Sequence, residues 1–179
     1  MRPTIALLGL RCSGKTTVAR LLALALGCAA VDQDEETLRF AQHSGWRVAA
    51  AGELLQRAGE VRFREFEAVA LRRLLEPSVR LVLATGGGVV ERPDNRTWLA
   101  RTARSVFLSV PLELLGERLR RDPTPRPALR GGDPAAELAE LRARREPLYR
   151  ALAEVTLECG AAPPEEIVQR IREALDPQA

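Results

Sequence analysis

Lysine is almost missing from this chain: of its 27 basic residues only Lys15 is lysine, and every other one is arginine. Aromatic residues make up 4%, and histidine occurs once, as His43. Nucleic-acid surfaces combine clustered cations with aromatic platforms, so with so few aromatics and a net charge of only +3 no nucleic-acid partner is expected. The three cysteines, Cys12, Cys28 and Cys159, are scattered and have neither CxxC nor metal-ligand spacing. They read as reduced thiols, and Cys12 as a small filler in its loop rather than a reactive group. There is no apolar run of membrane-spanning length, and no basic segment with an apolar stretch and cleavage site opens the sequence. The expectation is a cytoplasmic protein with no membrane partner.

What is present suits one core. At 179 residues and 46% hydrophobic, residues 1–179 are expected to form a single domain. The lone lysine lies in Gly9-Leu-Arg-Cys-Ser-Gly14-Lys15-Thr16-Thr17. A lysine kept where arginine serves every other need points to a task suited to a compact ammonium, such as reaching the β- and γ-phosphates of a nucleotide. The spacing Gly9-x4-Gly14-Lys15-Thr16 follows an apolar run, Thr4 to Gly9, and opens a helical one, Thr16 to Leu26. That is the strand–loop–helix setting of a phosphate-binding loop. Glycines let backbone N–H groups turn inward as an anion nest, and the helix N-terminus adds partial positive charge. Gly9, Arg11, Cys12, Ser13, Gly14, Lys15, Thr16 and Thr17 are therefore candidate nucleotide contacts.

Further along, Ala29–Val31, Val79–Ala84, Ser105–Val110 and Val155–Glu158 read as short strands. Helical patterns fill Glu35–His43, Val48–Ala58, Glu60–Leu75, Pro93–Ala100, Leu112–Arg121, Pro134–Leu152 and Pro164–Leu175. Strands alternating with helices predict an α/β fold, a five-stranded parallel sheet between two helical layers. The Pro-, Arg- and Gly-rich stretch at about 121–133 is too close to the end to bound a second domain and reads as a mobile lid. The guanine-reading NKxD signature is absent, and the chain is small for a motor ATPase. A small-molecule or nucleotide kinase remains.

Five more motifs then matter: Asp32-Gln-Asp34 after the second strand, Gly59-Glu60-x-x-Phe63-Arg64-x-x-Glu67 opening a helix, and Gly86-Gly87-Gly88 after the third strand. Arg126-Pro127-Ala128-Leu129 lies in the lid and Arg145-x-Pro147-Leu148-Tyr149 ends the long helix. With the phosphate loop they run in register over almost the whole chain, and together they resemble shikimate kinase, of the nucleoside-monophosphate-kinase type of P-loop fold. The resemblance implies an ATP-dependent kinase that phosphorylates shikimate at its 3-hydroxyl, uses Mg²⁺ and acts as a monomer. It implies that Asp34 binds the acceptor hydroxyl and can take its proton. Thr16 and Asp32 are implied on the metal side. Arg64 and Arg145 would grip the acceptor carboxylate, Gly86, Gly87 and Gly88 would line the acceptor, and Arg126 would close from the lid. Lys15, Asp34 and Arg126 are the catalytic candidates, the acceptor region is about 33–64, and Arg120 or Arg121 is the candidate to cover the adenine.

Plainer readings stand beside these. Asp32 and Asp34 could cap the following helix. Arg64 and Glu67 could be a surface ion pair, Gly86–Gly88 a tight turn, and Arg145 part of a solvated helix face. Trp46 and Trp98 read as packing residues and His43 as a surface one. Residues 35–58 carry His43-Ser-Gly45-Trp46-Arg-Val-Ala-Ala-Ala where the family builds one acceptor wall. This leaves two alternatives: a kinase for another small hydroxylated carboxylic acid, or a sensor that binds without phosphorylating.

Overall fold

Three apolar segments, Thr4–Leu8 (β1), Leu81–Ala84 (β3) and Ala103–Ser109 (β4), have almost no exposed position. Strands that are apolar on both faces belong inside a parallel sheet covered by helices. The computed structural model describes residues 3–76, 80–121 and 134–175 and places them so. With Ala29–Asp32 (β2) and Val155–Glu158 (β5) they form a five-stranded sheet in the order β2-β3-β1-β4-β5. Every neighbouring pair is parallel, with Ile5 opposite both Val82 and Arg104. The chain order reverses around β1, which puts a crevice at the carboxyl ends of β1 and its neighbours.

Lys15–Leu26 (α1) packs on β1, β2 and β3 and on Pro164–Leu175 (α7), covering one face. Pro93–Thr102 (α4) and Pro134–Leu152 (α6) pack on β4. Leu112–Arg121 (α5) leans on α6. The expected three-layer α/β/α architecture is therefore found. Leu7, Leu8, Leu22, Leu83, Leu108 and Ile171 are among the fully buried side chains of its core.

A smaller core lies beside the sheet. Gln33–His43 (α2) starts two residues before the predicted helix, because the Asp32 carboxylate accepts from the Asp34 N–H and caps it. Ala51–Leu75 (α3) is broken at Gly59, whose φ of 78° and ψ of 162° no helix contains. The two helices expected on either side of that glycine are thus distinct segments, although the first begins at Ala51 rather than Val48. Ala41, Val48, Leu54, Phe63 and Phe66 form the buried centre. Trp46 meets the Phe66 ring edge-on with centroids 6.1 Å apart, so it packs as expected. His43 is exposed at the end of α2. The result is a shelf that carries the start of α2 and the middle of α3 toward the crevice.

Candidate active site

The phosphate loop leaves β1 and enters α1 through backbone shapes unavailable to most residues. Gly14 sits at the N-cap with φ 89°, and Cys12 also has a positive φ, 63°. Glycine removes the steric cost at the first position. Gly9 is needed for space as well, since a Cβ there would lie 2.8 Å from Ser13 Oγ. Lys15 is almost fully buried, and its Nζ donates to Gly9 O at 2.9 Å and Leu10 O at 2.7 Å. The ammonium is thus held directly beneath the nest. Arg11, Cys12, Gly14, Lys15, Thr16 and Thr17 all line one cleft of about 760 Å³. Gly9 and Ser13 lie under the loop as lysine partners.

The same cleft is lined by Asp32, Asp34, Thr85 and Gly87 from the ends of β2 and β3. Thr16 Oγ1 donates to Asp32 Oδ2 at 2.7 Å. Asp32 therefore caps α2, as the plain reading has it, and also accepts from the threonine near the start of α1. Two hard oxygen donors beside a phosphate nest fit Mg²⁺, which takes one or two protein oxygens and keeps waters and phosphates for the rest. Among the described residues no group of three His, Cys, Asp or Glu side chains forms an all-protein metal cage.

Beyond Gly87 the site changes character. Arg145 is only 4% exposed and Glu67 only 1%, so neither a solvated helix face nor a surface ion pair describes them. Arg64 Nη1 donates to Glu67 Oε1 at 3.0 Å, and Arg64 Nη2 lies 3.2 Å from Glu91 Oε2. Arg145 Nε donates to Glu91 Oε1 at 3.1 Å. Two of the three glycines, Gly86 and Gly88, are where they are because the side chains crowd them. A Cβ on Gly86 would lie 2.6 Å from Glu67 Oε1 and 2.9 Å from Asp34 Oδ1, and one on Gly88 would strike the Arg64 guanidinium. A Cβ on Gly87 would lie 3.6 Å from Arg145 Nη1 and 3.5 Å from the Arg11 backbone nitrogen, and Tyr149 OH donates to the Gly87 carbonyl. Gln33, fully buried, accepts from the Gly86 N–H and donates to Glu67 O.

Charge is unevenly settled here. Burial pushes the Glu67 carboxyl up to about 7; Arg64 pulls it down and Asp34 pushes it up further. Glu91 is less enclosed: burial raises it, but Arg145, Arg64 and Arg144 together hold it below the ordinary carboxylate value. Arg11 Nε, Arg64 Nε, Glu67 Oε2 and Arg145 Nη2 are buried with no hydrogen-bond partner among the described residues. Such orphans are rare in folded interiors. Four of them around one crevice mark it as a place for a polar ligand.

Asp34, Arg64, Gly86–Gly88 and Arg145 are thus brought together, next to the loop bearing Lys15. Arg120 is not: it is exposed, folded back toward Gly116 of its own helix. Arg118 and Arg121 line the cleft instead, and Arg118 Nη1 donates to Cys12 O at 3.3 Å. Arg126 and the rest of the segment expected to form a lid fall outside the described residues. Sequence reasoning passed over Gln33, Arg118 and Glu91 entirely. Glu67 had a signal, its i,i+3 spacing from Arg64, whereas Glu91 sits in an ordinary-looking Glu-Arg-Pro-Asp stretch.

Comparison with known proteins identifies the family. A family model for shikimate kinase matches residues 11–176. The shikimate kinase 2 of Serratia proteamaculans is 37% identical over 177 residues, 98% of this chain and 97% of that protein. The shikimate kinase of Oleidesulfovibrio alaskensis is 43% identical over 151 residues, 83% of this chain and 84% of that one. A solved shikimate kinase from Acinetobacter baumannii, in complex with shikimate, aligns with a TM-score of 0.86 at 36% identity, covering 97% of this chain and 92% of its own.

Proposed function

The chain belongs to the shikimate kinase family, and on that premise we propose how its own residues divide the labour of the reaction. The enzyme transfers the γ-phosphoryl group of ATP to shikimate, giving shikimate 3-phosphate and ADP. The observation that carries the division of roles is the meeting, in one crevice, of the lysine loop with an aspartate and two buried arginines.

Phosphoryl transfer asks for alignment and charge neutralisation more than for covalent help. The N–H groups around Gly14 and the start of α1 receive the phosphates. Lys15, already turned beneath the loop, exchanges its carbonyl partners for phosphate oxygens. Thr16 and Asp32 would hold Mg²⁺, which would supply neutralising charge beside the nucleotide phosphates. Asp34, at the start of α2, accepts a hydrogen bond from the acceptor hydroxyl, aims its oxygen at the γ-phosphorus and takes the proton as the new bond forms. Arg64 and Arg145 grip the acceptor carboxylate, the planar group their forks match. The triple glycine lets the acceptor ring lie against backbone. Arg126 completes the neutralisation from the lid, and Arg118 joins Arg121 as a candidate to cover the nucleotide base. A cytoplasmic, monomeric enzyme is part of the same proposal.

The test is ADP release with and without shikimate. Turnover that rises with shikimate and stays at background with other small hydroxylated carboxylic acids at equal concentration is the expected outcome. Equal stimulation by another acid moves the acceptor assignment, and ligand binding without ADP release replaces the kinase with a sensor.

A further inference from the structure

Glu91 lies in the 3₁₀ turn Val89–Glu91, just after the triple glycine, and is only partly exposed. Its two oxygens face different arginines. Oε1 meets Arg145 Nε at 3.1 Å and Arg144 Nη2 at 2.7 Å, while Oε2 meets Arg64 Nη2 at 3.2 Å. Three cations from α3 and α6 are thus gathered on one carboxylate. We propose that Glu91 is a positioning residue that sets Arg64 and Arg145 side by side as one carboxylate clamp, an inference that rests on the acceptor role given to those two arginines above.

The alternatives differ in sign. A carboxylate beside a carboxylate-binding pair could act as a competitor that the acceptor must displace. In that case removing it would leave the site more positive and tighten acceptor binding. The geometry favours the buttress. Arg64 has a second close carboxylate in Glu67, at 3.0 Å, but Glu91 is the only carboxylate paired with Arg145 among the described residues. Arg145 is 4% exposed, and a guanidinium so deeply buried pays heavily for losing its counter-ion. Without Glu91 it would turn toward solvent or toward Glu67, and the pair would come apart. Glu91 also approaches from one side only. It takes Nε, whereas Nη1 faces Gly87 and Nη2 is the orphaned donor. The end of the fork that remains available is the one nearest the acceptor loop. Because Arg145 and the other arginines hold its carboxyl below the ordinary value, Glu91 stays charged throughout the neutral range.

Steady-state kinetics of Glu91→Gln tests this. The KM for shikimate should rise about tenfold, the worth of one hydrogen bond to a charged group. kcat and the KM for ATP should stay near wild type. A lower or unchanged KM for shikimate overturns the proposal, and so does a parallel loss of kcat and ATP affinity. Should that variant not fold, Arg144→Gln decides instead. It loosens Glu91 from its outer, half-exposed partner, and a smaller rise in the shikimate KM is expected; no rise overturns the proposal. Arg145→Gln run in parallel separates the premises. If it leaves the shikimate KM untouched, the clamp itself is wrong; if it raises the KM while Glu91→Gln does not, only the role of Glu91 falls.

Discussion

The two halves of the crevice are built in opposite ways. On the roles proposed above, the phosphate-binding part of the nucleotide half is one unbroken stretch, Gly9 to Thr17, whose chemistry lies mostly in backbone N–H groups and a helix end, with the Lys15 charge held beneath. The acceptor half takes Asp34 from α2, Arg64 and Glu67 from α3, Glu91 from a 3₁₀ turn and Arg145 from α6. Its chemistry lies in side-chain charges, of which Glu67 and Arg145 are buried and the others partly so, each needing a partner. Backbone donors keep their geometry at little cost, because the loop that makes them also orients them. Buried charges must be balanced by residues far away in sequence, so the acceptor half is more specific and also more fragile.

The comparison can be broken most sharply where the halves meet. Asp34→Asn should lower kcat by about 10²–10⁴-fold, the usual contribution of a positioned proton acceptor. Nucleotide affinity, measured by titration, should be retained; its loss would place Asp34 in the nucleotide half. Next comes Lys15→Arg, which keeps the charge but offers a broad fork where the loop holds a compact ammonium between two carbonyls. A fall in kcat of about 10²–10³-fold is expected, comparable to removing one preorganised donor. Normal turnover in that variant would mean that the lone lysine is an accident of composition.

The smallest effect sharpens the contrast through pH. Glu67 is raised to about 7 in the folded protein, against an ordinary value of 4.5. The folded chain therefore keeps a proton that the unfolded chain gives up. The associated stability is complete below the ordinary value and is lost as pH rises through 7. Urea unfolding between pH 5 and pH 8 should show the wild type losing stability with rising pH, and Glu67→Gln should flatten that slope. An unchanged slope in the variant would show that the proton is held elsewhere.

Legibility followed the same division. The loop could be read because its function needs residues at fixed spacing between a strand and a helix, and both flanking elements declare themselves by apolar patterning. The break at Gly59 could be read because glycine there ended one helical pattern and preceded another. Arg64 and Arg145 were visible only as members of motifs in register; taken alone, Arg142-Ala-Arg144-Arg145-Glu146 resembles any charged helix face. Glu91 and Gln33 gave no local sign, and Arg120 was preferred to Arg118 because α5 offers three arginines within four residues and sequence alone does not say which one turns inward.

By itself, then, the sequence determined the parallel α/β sheet, the phosphate loop and its lysine, and the order in which the acceptor residues arrive, because each of these depends on spacing along one stretch of chain. The tertiary structure alone decided that Arg145 is buried, that Glu67 carries a raised carboxyl, and that Glu91 binds three arginines. Those properties come from bringing α3, α6 and the turn after the triple glycine together, with Glu91 and Arg145 54 positions apart in the chain. Burial and counter-ions are properties of packing, and no single segment of the chain contains them.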